Sequence, residues 1–225
     1  MIDLQPFWLT IKLATFTTVI LLAVSIPLAS WLSQKRGVLK TIVQVVAGMP
    51  LVLPPSVIGF YLLLAFSPTG WLGGFLEAHC NLRLVFSFPG LVIGSVIYSL
   101  PFMVYPIQSG LAALPPSLKE ASFSLGKSRW QTLTKVLLPN IKPALLSGIV
   151  LTMAHTIGEF GVVLMIGGNI PGKTRVASIA VYDAVEAMDY HNANAYALIL
   201  FATSFIILLA LYFFNYRLQR VKLHG

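Results

Sequence analysis

Long uncharged runs constrain this chain more than any other feature of its sequence. Four intervals, 13–32, 41–66, 84–114 and 195–216, contain no Asp, Glu, Lys or Arg over 20, 26, 31 and 22 residues. A helix of about 20 apolar residues spans the roughly 30 Å hydrocarbon core of a bilayer. The chain is 57% hydrophobic and 10% charged, which is not the composition of a domain with a polar, water-exposed surface. The sequence therefore predicts an all-α integral membrane protein.

A fifth apolar interval completes the predicted topology. It covers residues 143–170 and contains two ionisable side chains, those of His155 and Glu159. We expect the whole chain, residues 1–225, to form a single transmembrane domain with five membrane-spanning helices. Their approximate bounds are 8–32, 41–66, 84–110, 143–166 and 195–216.

The basic residues predict the orientation of these crossings. Lys35, Arg36 and Lys40 follow the first crossing, whereas Lys12 lies near its start. Cytoplasmic loops carry the excess of Lys and Arg, so we expect the amino terminus outside and the carboxyl terminus in the cytoplasm. Eleven of the fifteen basic residues then lie on the cytoplasmic side. They are Lys35, Arg36, Lys40, Lys119, Lys127, Arg129, Lys135, Lys142, Arg217, Arg220 and Lys222.

Prolines interrupt the second apolar run at three positions, Pro50, Pro54 and Pro55. A proline inside a helix frees a backbone carbonyl that hydrocarbon cannot satisfy. Broken helices at membrane depth line a cavity or pack inside the bundle. We interpret this segment as lining a pathway or gate, and a kink without a role in transport is the alternative.

His155 and Glu159 are four residues apart, which places them on one face of a continuous helix. At membrane depth such residues face the bundle interior or water. A structural hydrogen-bonded pair and a role in a gate both fit this placement. Metal binding would need further ligands, so no metal site is predicted. A membrane-embedded enzyme that uses the two side chains as an acid–base or metal pair is the competing hypothesis to a transport subunit.

One long polar and basic interval, 115–142, lies between the third and fourth apolar runs. Ser117 with Glu120, and Ser128 with Gln131, have the spacing of capping boxes. These pairs predict two short helices joined by a turn at Gly126. The second helix is expected to end at Pro139. An apolar stripe on the first helix, suited to the groove of another protein, consists of Leu118, Ala121, Ser122 and Leu125.

This interval resembles the EAA loop of the membrane subunits of ATP-binding-cassette (ABC) importers. The family pattern has Glu-Ala-Ala, then Gly, then Ile-x-Leu-Pro, and residues 120–122, 126 and 136–139 of this chain match it with Ser122 and Val136 as departures. The resemblance implies that the loop docks in a groove on a cytoplasmic ATPase. The residues that it assigns to this coupling role are Glu120, Ala121, Ser122, Gly126, Leu138 and Pro139.

Three further segments resemble the membrane subunits of oxyanion importers, and the chain as a whole is most similar to bacterial molybdate permeases. The segments are 50–55, 158–161 and 168–174. The resemblance implies a type I ABC importer fold in the bacterial inner membrane and molybdate as the cargo, with sulfate, thiosulfate or tungstate as alternatives. The implied partners are a second copy of the chain, a cytoplasmic ABC ATPase dimer, a periplasmic oxyanion-binding protein and membrane lipid. No cofactor is implied in this chain, since ATP and magnesium belong to the ATPase.

Two other functions fit parts of the sequence. Residues 167–174, GGNIPGKT, match the P-loop pattern, but a P-loop follows a buried strand, and ATP is absent from the predicted outer side. We interpret them as a glycine-rich turn whose N–H groups, with Lys173 and Arg175, lie near an anion entrance. The net charge of +8 and the helix-turn-helix appearance of residues 117–138 are typical of DNA-binding proteins. The flanking membrane spans exclude that reading, so no nucleic-acid partner is expected.

Overall fold

The structure, a computed structural model, describes residues 2–34 and 37–221, with side chains as far as Phe213. Within these residues the regular structure is helical and no β-strand occurs, which confirms the predicted all-α class. The helices are α1 (Gln5–Leu32), α2 (Val38–Gly48), α3 (Pro55–Phe66), α4 (Trp71–Cys80), α5 (Phe88–Ala112), α6 (Pro116–Ser124), α7 (Arg129–Thr132), α8 (Leu138–Asn140), α9 (Lys142–Ile157), α10 (Gly161–Gly167), α11 (Ala177–Glu186) and α12 (Tyr190–Val221).

Helix α5 is the centre of the fold, because it contributes to all three clusters of buried apolar side chains. The first cluster joins α5 to α1 and the polar interval, the second joins it to α1, α10 and α11, and the third joins it to α3 and α10. Fully buried members include Leu13, Leu21, Leu91, Met103, Ile107, Val162 and Ile166. In a bilayer such clusters are stabilised by van der Waals packing, since lipid tails are as apolar as leucine.

Three helices among the described residues are long and apolar enough to cross a membrane. They are α1, α5 and the part of α12 within Tyr190–Phe213. The number rises to five if each of two bent helix pairs forms one span. The predicted count of five is therefore the upper end of what the described helices allow, and the fold alone does not orient the termini.

Side-chain caps fix where two of these long helices begin. The Ser87 hydroxyl accepts a hydrogen bond from the N–H of Gly90 at 3.2 Å, so α5 begins at Phe88 and not near residue 84. The Asp189 carboxylate accepts hydrogen bonds from the backbone and side-chain amides of Asn192 at the start of α12. These bonds stabilise the charged carboxylate and hold the pKa of Asp189 below its ordinary value.

The second apolar run forms two helices with a sharp bend between them. A 3-10 turn, Met49–Leu51, follows α2, and α3 begins at Pro55. The axes of the two halves, Val38–Leu51 and Pro55–Phe66, differ by 111°. Because proline lacks a backbone N–H and restricts the residue before it, neither Pro50 nor Pro54 can continue the helical hydrogen-bond pattern. A single straight crossing over residues 41–66 is therefore excluded.

The fourth apolar run is interrupted as well. Helix α9 ends at Ile157, and α10 begins at Gly161. Glu159 thus lies in the break and not on the helical face of His155, so the prediction that the two share one face is wrong. The spacing argument assumed a continuous helix, whereas the tight contact of Gly161 with α3, described below, requires the chain to turn here.

The polar interval folds into two helical arms joined at Gly126. Ser128 and Gln131 form the predicted capping box, with both hydrogen bonds at 3.2 Å. The predicted box at Ser117 and Glu120 is wrong, because Pro115 is the residue before the helix and makes no side-chain cap. Since Pro116 at the first helical position presets the helical φ, α6 begins without a hydroxyl cap.

The second arm ends one residue after Pro139, close to the predicted position. A π-helical turn, Leu133–Leu137, lies between α7 and α8, and α8 ends at Asn140. A π turn widens the helix by one residue, which accommodates the missing N–H of a proline just after it. A bend of 81° then separates Arg129–Asn140 from Lys142–Ile157.

Candidate functional site

The breaks of the second and fourth apolar runs meet at one cavity of about 600 Å³. Its lining includes Pro55 and Ser56 at the start of α3, Tyr98 of α5, and His155 and Glu159. Non-helical backbone at membrane depth is tolerated where it is packed in protein or lines a water-filled cavity. The cavity is therefore the candidate pathway site.

Close backbone packing holds the two breaks together. A Cβ atom placed on Gly161 would lie 2.7 Å from the Cβ of Pro55 and 3.3 Å from the backbone N of Ser56. One on Gly59 would lie 2.8 Å from the Cβ of Met165. Only glycine allows approaches this close, so small residues set the contact between α3 and α10.

His155 packs against two aromatic rings of α5. Its ring centroid lies 4.0 Å from that of Phe102 and 4.9 Å from that of Tyr98. The Nε2 atom of His155 is buried and has no hydrogen-bond partner in the described part of the chain. Stacking thus holds the His155 ring in the cavity lining with its Nε2 atom buried.

Glu159 is held in the break by a hydrogen bond to its backbone. The Ser178 hydroxyl of α11 donates to the backbone oxygen of Glu159 at 2.6 Å. The residue is only 4% exposed, and the Ser95 hydroxyl of α5 is the hydrogen-bonding group beside its carboxyl. A buried carboxyl with one hydroxyl neighbour is costly to ionise, because burial removes the water that would stabilise the charge.

Only three of the five predicted pathway residues line the same cavity. Pro55, His155 and Glu159 line the cavity, whereas Pro50 is buried in the 3-10 turn and Pro54 is exposed just before α3, outside the cavity lining. Among the described residues, no group of three or more His, Cys, Asp or Glu side chains lies together as a metal site would require.

Sequence reasoning missed two polar residues of this cavity, Ser56 and Tyr98. Ser56 directly follows the proline pair, so it could have been found as the first polar side chain after the break. Tyr98 lies in an uncharged run with no local signal of its role.

The predicted coupling residues divide between two surfaces of the polar interval. Glu120 and Ala121 are exposed on α6, whereas Ser122 is buried. Leu138 packs, half-buried, against the apolar cluster of the membrane bundle, and Pro139 is exposed. The Leu138-Pro139 pair thus joins the polar interval to the membrane bundle, whereas Glu120 and Ala121 face away from the chain.

The predicted apolar stripe on α6 is only partly free. Ser122 faces the second arm and Leu118 is half-buried. Two other apolar side chains are exposed near Leu125, which is itself 77% exposed: Phe123 at 41% and Trp130 at 63%. The available surface therefore combines residues of both arms.

A buried hydrogen bond between Ser122 and Thr132 joins the two arms, with 2.9 Å between the hydroxyl oxygens. Thr132→Val leaves the Ser122 hydroxyl buried without a partner, so we expect it to lower the free energy of unfolding by about 1–3 kcal/mol. Ser122→Ala should cost a similar amount, whereas the double variant should be close to wild type. Thermal unfolding of the purified transporter measures all three, and strictly additive losses would contradict this pairing.

The glycine-rich segment 167–174 forms a closed turn. The backbone N–H groups of Lys173, Thr174 and Arg175 all donate to the carbonyl of Ile170 at 3.0–3.2 Å. The Thr174 hydroxyl, fully buried, donates to the carbonyl of Gly167 at 2.7 Å. These three N–H groups are used inside the turn, and the proximity of the segment to an anion entrance stays a prediction.

Arg175 is also engaged. It forms an ion pair with Asp183 and donates through Nε to the Asn169 side-chain oxygen at 2.7 Å. On the same helix, α11, the Tyr182 hydroxyl donates to Glu186, and this hydrogen bond raises the pKa of Tyr182. Residues 169–186 are thus held together by their own polar contacts.

Comparison with known protein families decides the class of this chain. The family of binding-protein-dependent transport system inner membrane components matches residues 16–222. The chain belongs to this family. The predicted class, a membrane subunit of an ABC transporter and not an enzyme, is confirmed.

Curated relatives extend this result. The transport subunit is 45% identical over 212 residues to the molybdenum transport system permease protein ModB of Azotobacter vinelandii, covering 93% of each chain. It is 30% identical to the putative molybdenum transport system permease protein YvgM of Bacillus subtilis, over 90% of this chain and 89% of that protein. It is 34% identical to the sulfate transport system permease protein CysT of Escherichia coli, over 82% of this chain and 66% of that protein.

Solved structures share the fold. A chain of a bacterial ABC transporter that imports the acidic polysaccharide alginate superimposes with a TM-score of 0.78 at 18% identity, covering 95% of this chain and 79% of that chain. A chain of the inward-facing MetNI methionine ABC transporter gives 0.72 at 17% identity, with 97% and 94% covered. The transport subunit therefore has the fold of ABC importer membrane subunits.

Proposed function

We propose that this chain is the membrane-spanning subunit of an ATP-driven importer that moves molybdate across the bacterial inner membrane after delivery by a periplasmic binding protein. The observation that carries the proposal is the 45% identity to a molybdenum permease over 93% of both chains. The match to a sulfate permease is lower in identity and leaves a third of that protein uncovered. Sulfate, thiosulfate and tungstate are the alternative cargoes.

The proposed assembly contains two copies of the chain around a central path, in five crossings each, with the amino terminus outside and the carboxyl terminus in the cytoplasm. The cavity at the two helix breaks faces this path. The exposed lining residues Pro55 and Ser56, and the buried carboxyl of Glu159, support the proposal that a second copy completes the site. Alternating access then follows from rocking of the bundles about this point.

ATP hydrolysis is assigned to a separate cytoplasmic ABC ATPase dimer, which would hold the ATP and magnesium. Each ATPase subunit receives one polar interval through Glu120, Ala121 and the exposed apolar residues of both arms. Leu138 joins this unit to the membrane bundle, so closure of the ATPases pulls on α9 and opens the path outward. The chain itself supplies position and movement and no covalent step.

The cavity has few groups that would hold an oxyanion. Tetrahedral dianions are bound tightly by several N–H and hydroxyl donors, and here the donors are Ser56, Tyr98 and His155. An ionised Glu159 would repel a dianion. We therefore assign the cavity to low-affinity passage, with selection made by the binding protein.

Uptake of labelled molybdate tests the cargo. Cells that lack this chain should lose uptake at trace concentration, and the plasmid-borne chain should restore it. Tungstate should compete with molybdate in the wild-type cells, whereas sulfate should not. Unchanged molybdate uptake with lost sulfate uptake would move the cargo to sulfate, and no effect on either would overturn the proposal.

A further inference from the structure

A second cavity, of about 410 Å³, lies between the polar interval and the ends of two membrane helices. Ser30, Ser33 and Gln34 line it from the end of α1, and Leu111 lines it from the end of α5. Lys119 and other residues of the two arms close the opposite side. The proposed transport cycle gives no role to the polar and charged groups of this cavity.

The charged side chains that line this cavity are basic, and no acidic side chain balances them among the described residues. Lys119 and Arg129 line the cavity from α6 and α7, and no acidic side chain lines it among the described residues. Neither basic side chain forms an ion pair in that part of the chain, where Arg175 pairs with Asp183. Hydroxyl and amide groups at the end of α1 add neutral hydrogen-bonding groups. The polar part of the lining therefore suits an anion.

The remainder of the lining is apolar. Leu111 and Leu133 are buried in the adjoining core cluster, and Phe123 and Leu137 complete this part of the cavity. A free inorganic anion gains nothing from such surface, whereas an amphiphile with an anionic head contacts both parts. The combination selects a lipid over a free ion.

The cavity also lies at the depth of lipid headgroups. Helix α1 ends at Leu32 and α5 ends at Ala112, so the cavity begins where both leave the apolar region. In the proposed orientation, on which this inference rests, that level is the cytoplasmic surface, where anionic lipids attract basic residues. We infer that this cavity binds the phosphate headgroup of an anionic phospholipid, with an acyl chain along Leu111 and Leu133.

A lipid bound here would contact both the membrane helices and the arms that receive the ATPase. It would hold α6 and α7 at a fixed position relative to α1 and α5. The bound lipid is therefore expected to raise ATP hydrolysis that is coupled to the binding protein, without contact with the cargo.

The test uses the assembled transporter, with ATPase and binding protein, in nanodiscs of phosphatidylcholine with or without phosphatidylglycerol. Native mass spectrometry counts the retained phosphatidylglycerol. Lys119→Gln with Arg129→Gln should lower retention by about thirtyfold, as expected for the loss of two basic contacts. The matched double variant Lys127→Gln with Lys135→Gln removes the same charge from the same interval outside the cavity and should retain the lipid.

Ser33→Phe fills the cavity without removing charge and should also lose the lipid, which separates site binding from a general surface potential. Equal retention in all variants, or equal loss in both charge-matched doubles, would overturn the inference. Displacement of the lipid by inorganic phosphate at millimolar concentration would assign the site to a free anion. Because retention is measured without molybdate, its failure is distinct from a failure of the proposed cargo.

Discussion

Gly126→Pro is expected to abolish ATP-driven uptake while the membrane helices still fold. Gly126 has φ of +70°, in the left-handed region, and its N–H donates to the carbonyl of Phe123 at 2.9 Å. Proline is restricted to φ near −65° and has no N–H, so it cannot adopt this turn. The two arms would separate and the surface shared by α6 and α7 would be lost. Uptake by intact cells and co-purification with the ATPase measure the effect.

Gly126→Asn is the matched control. Asparagine visits the left-handed region at low cost, and no atom lies within 4 Å of a Cβ placed on Gly126. This variant should therefore keep most of the uptake and the ATPase association. If Gly126→Pro kept both activities, the assignment of residues 115–142 to ATPase coupling would be wrong.

Local chemistry explains how much of the polar interval could be predicted. The turn at Gly126 and the capping box at Ser128 depend on a few neighbouring residues, and both are present in the structure. The capping box predicted at Ser117 does not form, because the sequence contains two alternative helix-start signals at this point. The Pro115-Pro116 pair presets the backbone, so the helix begins before the serine could cap it.

The membrane segments show a different limit of prediction from a single sequence. Their existence follows from the length of the uncharged runs, and the first break follows from its prolines. The break at residues 158–160 contains no proline, so a periodicity argument treats it as helix. It is set by a contact between segments about a hundred residues apart, where Gly161 meets Pro55. A single sequence does not reveal such a contact, and it also leaves Tyr98 without any mark as a cavity residue.

The contact between Gly161 and Pro55 leads to a second prediction. Gly161→Ala should impair uptake more strongly than the addition of one methyl group ordinarily does. The new Cβ would lie 2.7 Å from Pro55 Cβ and 3.3 Å from a backbone nitrogen, and neither atom belongs to a flexible side chain. Overpacking of this kind costs about 1–3 kcal/mol. That exceeds the gain of up to about 1 kcal/mol from replacing glycine by alanine in a helix. The strain separates the two breaks that form the cavity.

Gly158→Ala is the matched control for Gly161→Ala, because Gly158 directly precedes Glu159 in the sequence. A Cβ on Gly158 would meet only the backbone oxygens of Ala154 and His155, at 3.8 and 3.9 Å, which is ordinary van der Waals contact. Uptake rate and thermal unfolding of the purified transporter should be near wild type for Gly158→Ala and reduced for Gly161→Ala. Loss of uptake with unchanged unfolding temperature would locate the effect in the path, because the bundle would be intact while the cavity is not. Equal behaviour of the two variants would mean that the meeting of the two breaks does not control passage.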